Sequence, residues 1–116
     1  MAKIWNWPIR SHSHGQPQTN NMIVRSSELP KGMNVFAHAT LSQVRMELPY
    51  MPAVTPIASI GISMYGVWNA DGTIAPPVQP EGFPSGLFIE NVAWVEVMLE
   101  ARECDAVGNL TLIEWN

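Results

Sequence analysis

The segment LFIENVAWVEVMLEARECDAVGNLTLIEW, residues 87–115, decides the fold class of this 116-residue chain. Its first part, up to Cys104, is rich in Leu, Met, Glu, Ala and Arg, which are good helix formers. On a helical wheel, however, the charged residues of this part are scattered around the axis and leave no apolar stripe. A period of two places the charged and the apolar residues on opposite faces of a strand. The apolar face is formed by Ile89, Ala93, Val95, Val97, Leu99 and Ala101. The pattern predicts a long strand over residues 87–104, with the other face carrying Glu90, Glu96, Glu100 and Arg102.

The second part of the segment predicts a turn and a returning strand. Residues 106–109 contain Val-Gly-Asn, and Gly and Asn are typical of turns because they tolerate positive φ. Residues 110–115 then continue as a strand. We therefore expect the chain to end in a β-hairpin, whose acidic face is directed to solvent or to the basic arm of a neighbouring molecule.

Two further stretches alternate in the same way. Residues 33–48 are apolar at odd positions up to Leu41 and at even positions from Val44 onward. This change of phase predicts a bulge or break near Ser42 and Gln43. Residues 57–68 predict the most regular strand, with one apolar face formed by Ala58, Ile60, Ile62, Met64 and Trp68. The opposite face is formed by Ser59, Gly61, Ser63 and Tyr65. A turn is expected after it, at residues 69–72, where Asp-Gly supplies the positive φ of a hairpin corner.

The connections between these stretches define the fold class. Residues 75–86 contain four prolines and two glycines, which predicts a stiff loop with Phe83 as a packing plug. Antiparallel strands need only turns and loops between them, whereas parallel strands need crossover helices, and no convincing helix is predicted. The sequence therefore predicts an all-β protein, with an antiparallel β-sandwich or jelly-roll-like domain over residues 33–116.

The first 32 residues differ from this body. They show no sustained period, and they turn polar over residues 11–21. We expect an extended N-terminal arm over residues 1–32. Trp5 and Trp7 are two positions apart, so an extended backbone places both rings on one side. Two exposed tryptophans would leave a large apolar surface in water, and the rings must therefore bury against the protein's own core, a neighbouring subunit or a ligand.

The charges are divided unequally along the chain, whose net charge is −4. Residues 1–50 hold five basic and two acidic residues, whereas residues 51–116 hold one basic and eight acidic residues. This division favours self-association into a symmetric homo-oligomer, in which the arm of one copy lies on the body of another. With only six basic residues, which do not cluster, nucleic-acid binding is not expected.

No catalytic motif is evident in the sequence. A glycosidase needs two carboxylates about 5–10 Å apart, and an enzyme here would need at least two of Glu96, Glu100 and Glu114 in one cleft. The alternation of the strand favours a solvated acidic face instead. We expect no enzymatic activity.

Metal, cofactor and membrane sites are not expected either. The single cysteine, Cys104, excludes a disulfide framework, and its acidic neighbours disfavour the thiolate. The histidines are interpreted as solvated or strand residues rather than metal ligands: His12, His14 and His38. No apolar run approaches the roughly 20 residues that span a bilayer, and no signal peptide is predicted.

An arm with aromatic anchors, a compact all-β body, a charged fraction of only 14% and proline-stiffened loops resembles the organisation of small structural proteins of tailed-bacteriophage particles. The resemblance is to the capsid decoration or cement proteins. It implies a non-enzymatic component of a virion, assembled in the host cytoplasm, that stabilises the capsid lattice by binding the major capsid protein or other virion subunits. The residues expected to contact the partner rest on this sequence alone: Trp5, Trp7, Ile9, Arg10 and Phe83.

The alternative is a carbohydrate-binding module or adhesin. Aromatic side chains on a strand can form a platform on which a sugar ring stacks. In this sequence the candidates for such a platform are Tyr65, Trp68 and Trp94.

Overall fold

The computed structural model describes residues 3–12, 18–46, 57–102 and 104–115, which form a sandwich of two antiparallel sheets. The elements in chain order are β1 (Ile4–His12), β2 (Gln18–Val24), a 3₁₀ turn (Ser26–Glu28), β3 (Val35–Met46), β4 (Ile57–Val67), β5 (Gly86–Ile89), β6 (Val92–Arg102) and β7 (Cys104–Glu114). The four-stranded sheet has the order β1-β7-β3-β5, and the three-stranded sheet has the order β2-β6-β4. Within the described ranges there is no α-helix. The prediction of an all-β sandwich is confirmed.

The core lies between the sheets and is built from alternate side chains of the central strands. The apolar face predicted for β6 is buried in full: Ala93, Val95, Val97, Leu99 and Ala101. The facing sheet contributes Val35, Ala37, Ala39, Ala106, Leu110 and Leu112. Burying a Val or Leu side chain contributes about 1.5–3 kcal/mol, so contact between the two sheets is the main stabilising interaction of the fold.

The long strand predicted over residues 87–104 is divided between the two sheets. β5 pairs with β3 in the four-stranded sheet, and β6 lies between β2 and β4 in the other. The chain crosses between the sheets at Asn91, whose φ is 54°. The crossing interrupts the alternation, since Glu90 and Asn91 are both exposed and Val92 and Ala93 are both buried. The inward side chains on both sides of it nevertheless point into the same core. The prediction that these residues form β-structure is confirmed, but the prediction that they form one continuous strand is wrong.

The prediction of a C-terminal hairpin is also wrong. β6 and β7 lie in different sheets, and β7 runs through residues 106–109 without a turn. Gly108 lies in the middle of β7, where a Cβ atom would be 2.5 Å from Ile60 Cδ1 of the opposite sheet and 2.9 Å from the carbonyl oxygen of Thr40. The glycine therefore provides room for close packing between and within the sheets, and not a turn conformation.

The bulge predicted in β3 is confirmed, and β4 contains a second one that was not predicted. In β3 the register shifts between Leu41 and Gln43, and the hydroxyl of Ser42 donates to the carbonyl oxygen of Val107 at 3.1 Å. In β4 the register shifts between Ile62 and Met64, so Ser63 is the extra residue.

The bulge at Ser63 reverses the faces of the rest of β4. Tyr65 and Val67 pack against the core, and Met64, which was predicted to face the core with Ile62, lies on the other face. The assignment of Met64 and Tyr65 to faces was therefore wrong. Beyond the strand, the predicted turn is confirmed, because the N–H of Asn69 donates to the Thr73 carbonyl at 2.7 Å and Gly72 has a φ of 90°.

Residues 1–32, predicted as an extended arm, supply edge strands to both sheets. β1 pairs with β7 along its full length, and β2 pairs with β6. The basic first half of the chain is thus placed beside the acidic second half of the same molecule. Of the three burial sites left open for the two tryptophans, the structure shows the protein's own core, since Trp5 and Trp7 pack against it.

Candidate functional site

The residues predicted to contact a partner are divided by the alternation of β1. Trp5 and Trp7 are half-buried against the core, and Ile9 is buried in it, so these three side chains are directed into their own molecule. Arg10 is exposed on the outer face. Ile9, which was expected to bury against a partner, is directed into its own molecule, because the pairing of β1 with β7 turns its side chain inward.

Phe83 does not act as a packing plug. Its side chain is 46% exposed, and its φ is 47°. Its backbone lies on Gly61 of β4, where an added Cβ atom would be 2.9 Å from Phe83 Cβ. The absence of a side chain at Gly61 thus brings the Pro-rich loop against the sheet, while the ring of Phe83 extends from the surface.

The aromatic residues predicted as a sugar platform do not share one face. Tyr65 packs against the core as a result of the bulge at Ser63. Trp68 lies beyond the end of β4, with the ammonium group of Lys31 4.5 Å from its ring centroid. Trp94 lies on β6 and lines a pocket.

An apolar row crosses the outer face of the four-stranded sheet. It has one residue from each strand, aligned by the register: Ile4, Ile113, Phe36 and Phe88. The rings of Phe36 and Phe88 have centroids 4.8 Å apart, and Trp115 meets Phe88 edge to face at 5.5 Å. Phe88 is 66% exposed and Ile4 is 64% exposed. The row is therefore a continuous hydrophobic surface in contact with solvent.

The apolar row was not identified from the sequence. Its one visible signal is that Phe36, Phe88 and Ile113 are large apolar residues at positions out of phase with the buried faces of their strands. The neighbouring row along the same face consists of Asn6, Thr111, His38 and Gly86, and the amide of Asn6 donates to the Thr111 hydroxyl at 3.0 Å. Among the described side chains of this face, the charges of Arg10 and Asp105 lie at the opposite end.

A pocket of about 340 Å³ opens on the three-stranded sheet, and we call it the Trp94 pocket. It is lined by Ile23, Arg25, Ser26, Ser27, Ile74, Trp94 and Glu96. These residues come from the end of β2, the 3₁₀ turn, the turn after β4 and the outer face of β6. Residue Ile74 is held there by its bridge to Trp68.

Two contacts hold the side chains of the Trp94 pocket in place. Gly66, which pairs with Trp94, leaves room for the indole, because a Cβ atom there would be 2.7 Å from the ring atoms Cδ1 and Cε2. The hydroxyl of Ser63 donates to the Glu96 carboxylate at 2.7 Å and to the Glu96 carbonyl oxygen at 3.2 Å. The second bulge therefore orients an acidic group toward the pocket.

The three carboxylates considered for catalysis are separated. Glu96 and Glu100 lie on the outer face of β6, whereas Glu114 lies on β7 in the other sheet. The pKa of Asp71, in the turn after β4, is lowered because the hydroxyl and backbone N–H of Thr73 donate hydrogen bonds to it. Within the described ranges, no three His, Cys, Asp or Glu side chains are close enough to hold a metal ion.

The cysteine and the histidines considered in the sequence are at separate positions in the fold. Cys104 is buried in the core. His38 is exposed, with its ring 5.7 Å from that of Phe36, whereas His14 and the side chain of His12 lie outside the described residues. In the part of the chain that the structure describes, no helix is long and apolar enough to cross a membrane.

Comparison of the chain with protein-family models, with curated proteins and with solved structures gave no match.

Proposed function

We propose that this protein is a non-enzymatic structural subunit that assembles into a symmetric oligomer through the outer face of its four-stranded sheet. The observation that carries the proposal is the apolar row, in which Phe88 and Ile4 are each about two-thirds exposed. Contiguous apolar patches in contact with water are uncommon on monomers and are typical of interaction surfaces. The centres of protein interfaces are enriched in aromatic residues, and the rings of Phe36, Phe88 and Trp115 are in contact at this end of the sheet. The charged residues Lys3, Glu90 and Glu114 lie at the border of the row, as in the polar rim of an interface.

The occupant that we propose for this face is a second copy of the chain. The strands β1, β7, β3 and β5 have 9, 11, 12 and 4 residues. At about 3.4 Å per residue and about 4.8 Å between strands, their face covers roughly 590 Å². This area is about three quarters of the roughly 800 Å² that each partner buries in a stable interface. In a two-fold arrangement the apolar row of one copy contacts the same row of the other, so both hydrophobic surfaces are removed from water by one contact.

The setting that we propose is a bacteriophage virion, in which the oligomer stabilises the capsid lattice as a decoration protein. The support for this setting is the organisation of the chain described above, namely a compact sandwich with few charges and Pro-rich loops. The exposed ring of Phe83 lies on the loop that packs on Gly61 of β4, outside the apolar row, and is proposed as a contact with a capsid subunit.

The experiment is a measurement of molar mass by light scattering for the wild-type protein and for the variant Phe36→Ser/Phe88→Ser. Phe83→Ser is the matched control, because it also replaces an exposed Phe by Ser, but outside the apolar row. We expect dimers for the wild type and the control and monomers for the double variant, with unchanged circular dichroism. A monomeric wild type at high micromolar concentration, or a double variant that remains dimeric, would overturn the proposal.

A further inference from the structure

The Trp94 pocket contains chemically different groups that do not satisfy one another. It has one indole ring, the aliphatic side chains of Ile23 and Ile74, a guanidinium, a carboxylate and two hydroxyls. Arg25 and Glu96 both line it, yet no ion pair joins them. Among the described residues, Ser63 is the one donor to the Glu96 carboxylate. Because a carboxylate can accept about four hydrogen bonds and a guanidinium can donate five, both groups keep bonding capacity for a ligand.

The aromatic surface of the pocket is held in one position before any ligand binds. Trp94 is half-buried on the central strand of its sheet, and its indole occupies the space that Gly66 leaves open. A side chain that is already ordered loses little conformational entropy when a ligand stacks on it. The Glu96 carboxylate is similarly oriented by Ser63, at 2.7 Å. The pocket is therefore pre-organised at both its apolar and its acidic side.

The combination of groups selects one class of ligand. A phosphate or another anion would be repelled by Glu96, and an ammonium compound would be repelled by Arg25. A purely apolar ligand would bury both charged groups without partners, which is unfavourable. A neutral sugar ring has a face of C–H groups that can stack on the indole, and its hydroxyls can both donate to a carboxylate and accept from a guanidinium.

We propose that the Trp94 pocket binds a single neutral sugar ring, such as the terminal pyranose of a glycan. The ring stacks on Trp94, its hydroxyls donate to Glu96, and they accept from Arg25. The volume of about 340 Å³ is at the lower end of the range for small-ligand pockets, which is roughly 300–1,000 Å³, and it suits one ring rather than an extended chain. This activity goes beyond the assembly function and uses the opposite sheet of the sandwich.

The test is an NMR titration of the isotope-labelled protein with the methyl glycosides of glucose, galactose, mannose and N-acetylglucosamine. We expect saturable shifts of backbone amides at residues 23–27, 74 and 94–96 at millimolar concentrations of at least one glycoside. Trp94→Ala and Glu96→Gln should each weaken that binding roughly ten- to hundredfold, because a stacking surface or a hydrogen bond to a charged group is lost. Trp115→Ala is the matched control, since it removes an indole on the other sheet, and should leave the affinity unchanged.

Three results would overturn the proposal. The first is no saturable shift with any of the four glycosides, and the second is wild-type affinity for the glycoside in both Glu96→Gln and Arg25→Ala. The third is tighter binding of inorganic phosphate than of any glycoside. If Trp94→Ala does not fold, Arg25→Ala decides, because Arg25 is exposed and its replacement leaves the core intact. The variant Phe36→Ser/Phe88→Ser should bind the same glycoside normally, so failure of the assembly proposal and failure of the sugar proposal are distinguishable.

Discussion

Replacing Gly108 by alanine tests directly how the two sheets pack. The added Cβ atom would lie 2.5 Å from Ile60 Cδ1 and 2.9 Å from the Thr40 carbonyl oxygen. Two carbon atoms pack best at about 3.5–4.0 Å, so Ile60 or one of the sheets must move. Extra methyl groups in a well-packed core cost about 1–3 kcal/mol. We expect Gly108→Ala to lower the free energy of unfolding by that amount.

The identity of the clashing atom makes the prediction specific. Ile60→Val removes Cδ1 and by itself should cost about 0.5–1.5 kcal/mol. If the two changes were independent, the double variant would lose roughly 1.5–4.5 kcal/mol. Because the shorter side chain vacates the space that the new methyl group needs, we expect the double variant to lose no more than Gly108→Ala alone. The predicted coupling free energy between Gly108→Ala and Ile60→Val is about 1 kcal/mol. The double variant remains less stable than the wild type, because the added methyl group still contacts the Thr40 carbonyl oxygen.

The assay is equilibrium unfolding in urea, followed by tryptophan fluorescence and analysed by linear extrapolation. Ile62→Val is the matched control, because Ile62 is buried on the same strand but is not among the three nearest contacts of the added methyl. Its effect should add to that of Gly108→Ala. The reasoning is refuted if Ile60→Val is also additive, or if Gly108→Ala changes stability by less than about 0.5 kcal/mol, as for an ordinary surface position.

Three further outcomes are expected. Thr73→Val should raise the pKa of Asp71 toward its ordinary value of 3.8, as measured by NMR titration, because the Thr73 hydroxyl no longer donates to the carboxylate. Since the pKa of Asp71 is lowered in the folded state, the stability contributed by the hydrogen bonds from Thr73 is present above the unfolded-state pKa. It is lost as the pH falls through the folded-state pKa. Leu112→Ala should cost about 2–5 kcal/mol in urea unfolding, since its side chain is fully buried, whereas Ile4→Ala in the exposed apolar row should change stability by less than about 0.5 kcal/mol; equal losses would contradict the assignment of faces. Cys104 should react with a thiol reagent at the rate of unfolding, because it is buried, and rapid reaction of the folded protein would contradict its position in the core.

The alternation of apolar and polar residues was sufficient to predict burial where the environment of a residue depends on its nearest neighbours along the chain. The buried face of β6 and the bulge in β3 were both predicted from a period of two and from one change of phase. The bulge at Ser63 left no such mark, because Gly61, Ser63 and Gly66 are small and fit either face of a strand. Tyr65 and Met64 were consequently assigned to the wrong faces.

The candidate sites were less predictable than the fold. Trp94 was selected from the sequence for sugar binding, and Glu96 lies two residues away on the same face of β6. The other lining residues come from three other segments, so Arg25 and Ile74 could not be grouped with Trp94 in advance. The apolar row depends on the register of four strands, and a shift of one residue in any of them would break it. Such registers are set by pairing between distant parts of the chain.

The sequence by itself determined that the chain is all-β, which side chains of β6 form the core and where β3 is bulged, because strand formation and burial follow the alternation of apolar and polar residues. Only the tertiary structure decided which sheet each strand joins. β6 and β7 have the same alternation whether they form a hairpin or lie face to face, since either arrangement buries one side of each strand. Packing of Ile60 against Gly108 and the pairing of the first strands with the last two select the sandwich, and these contacts are not visible in any single segment.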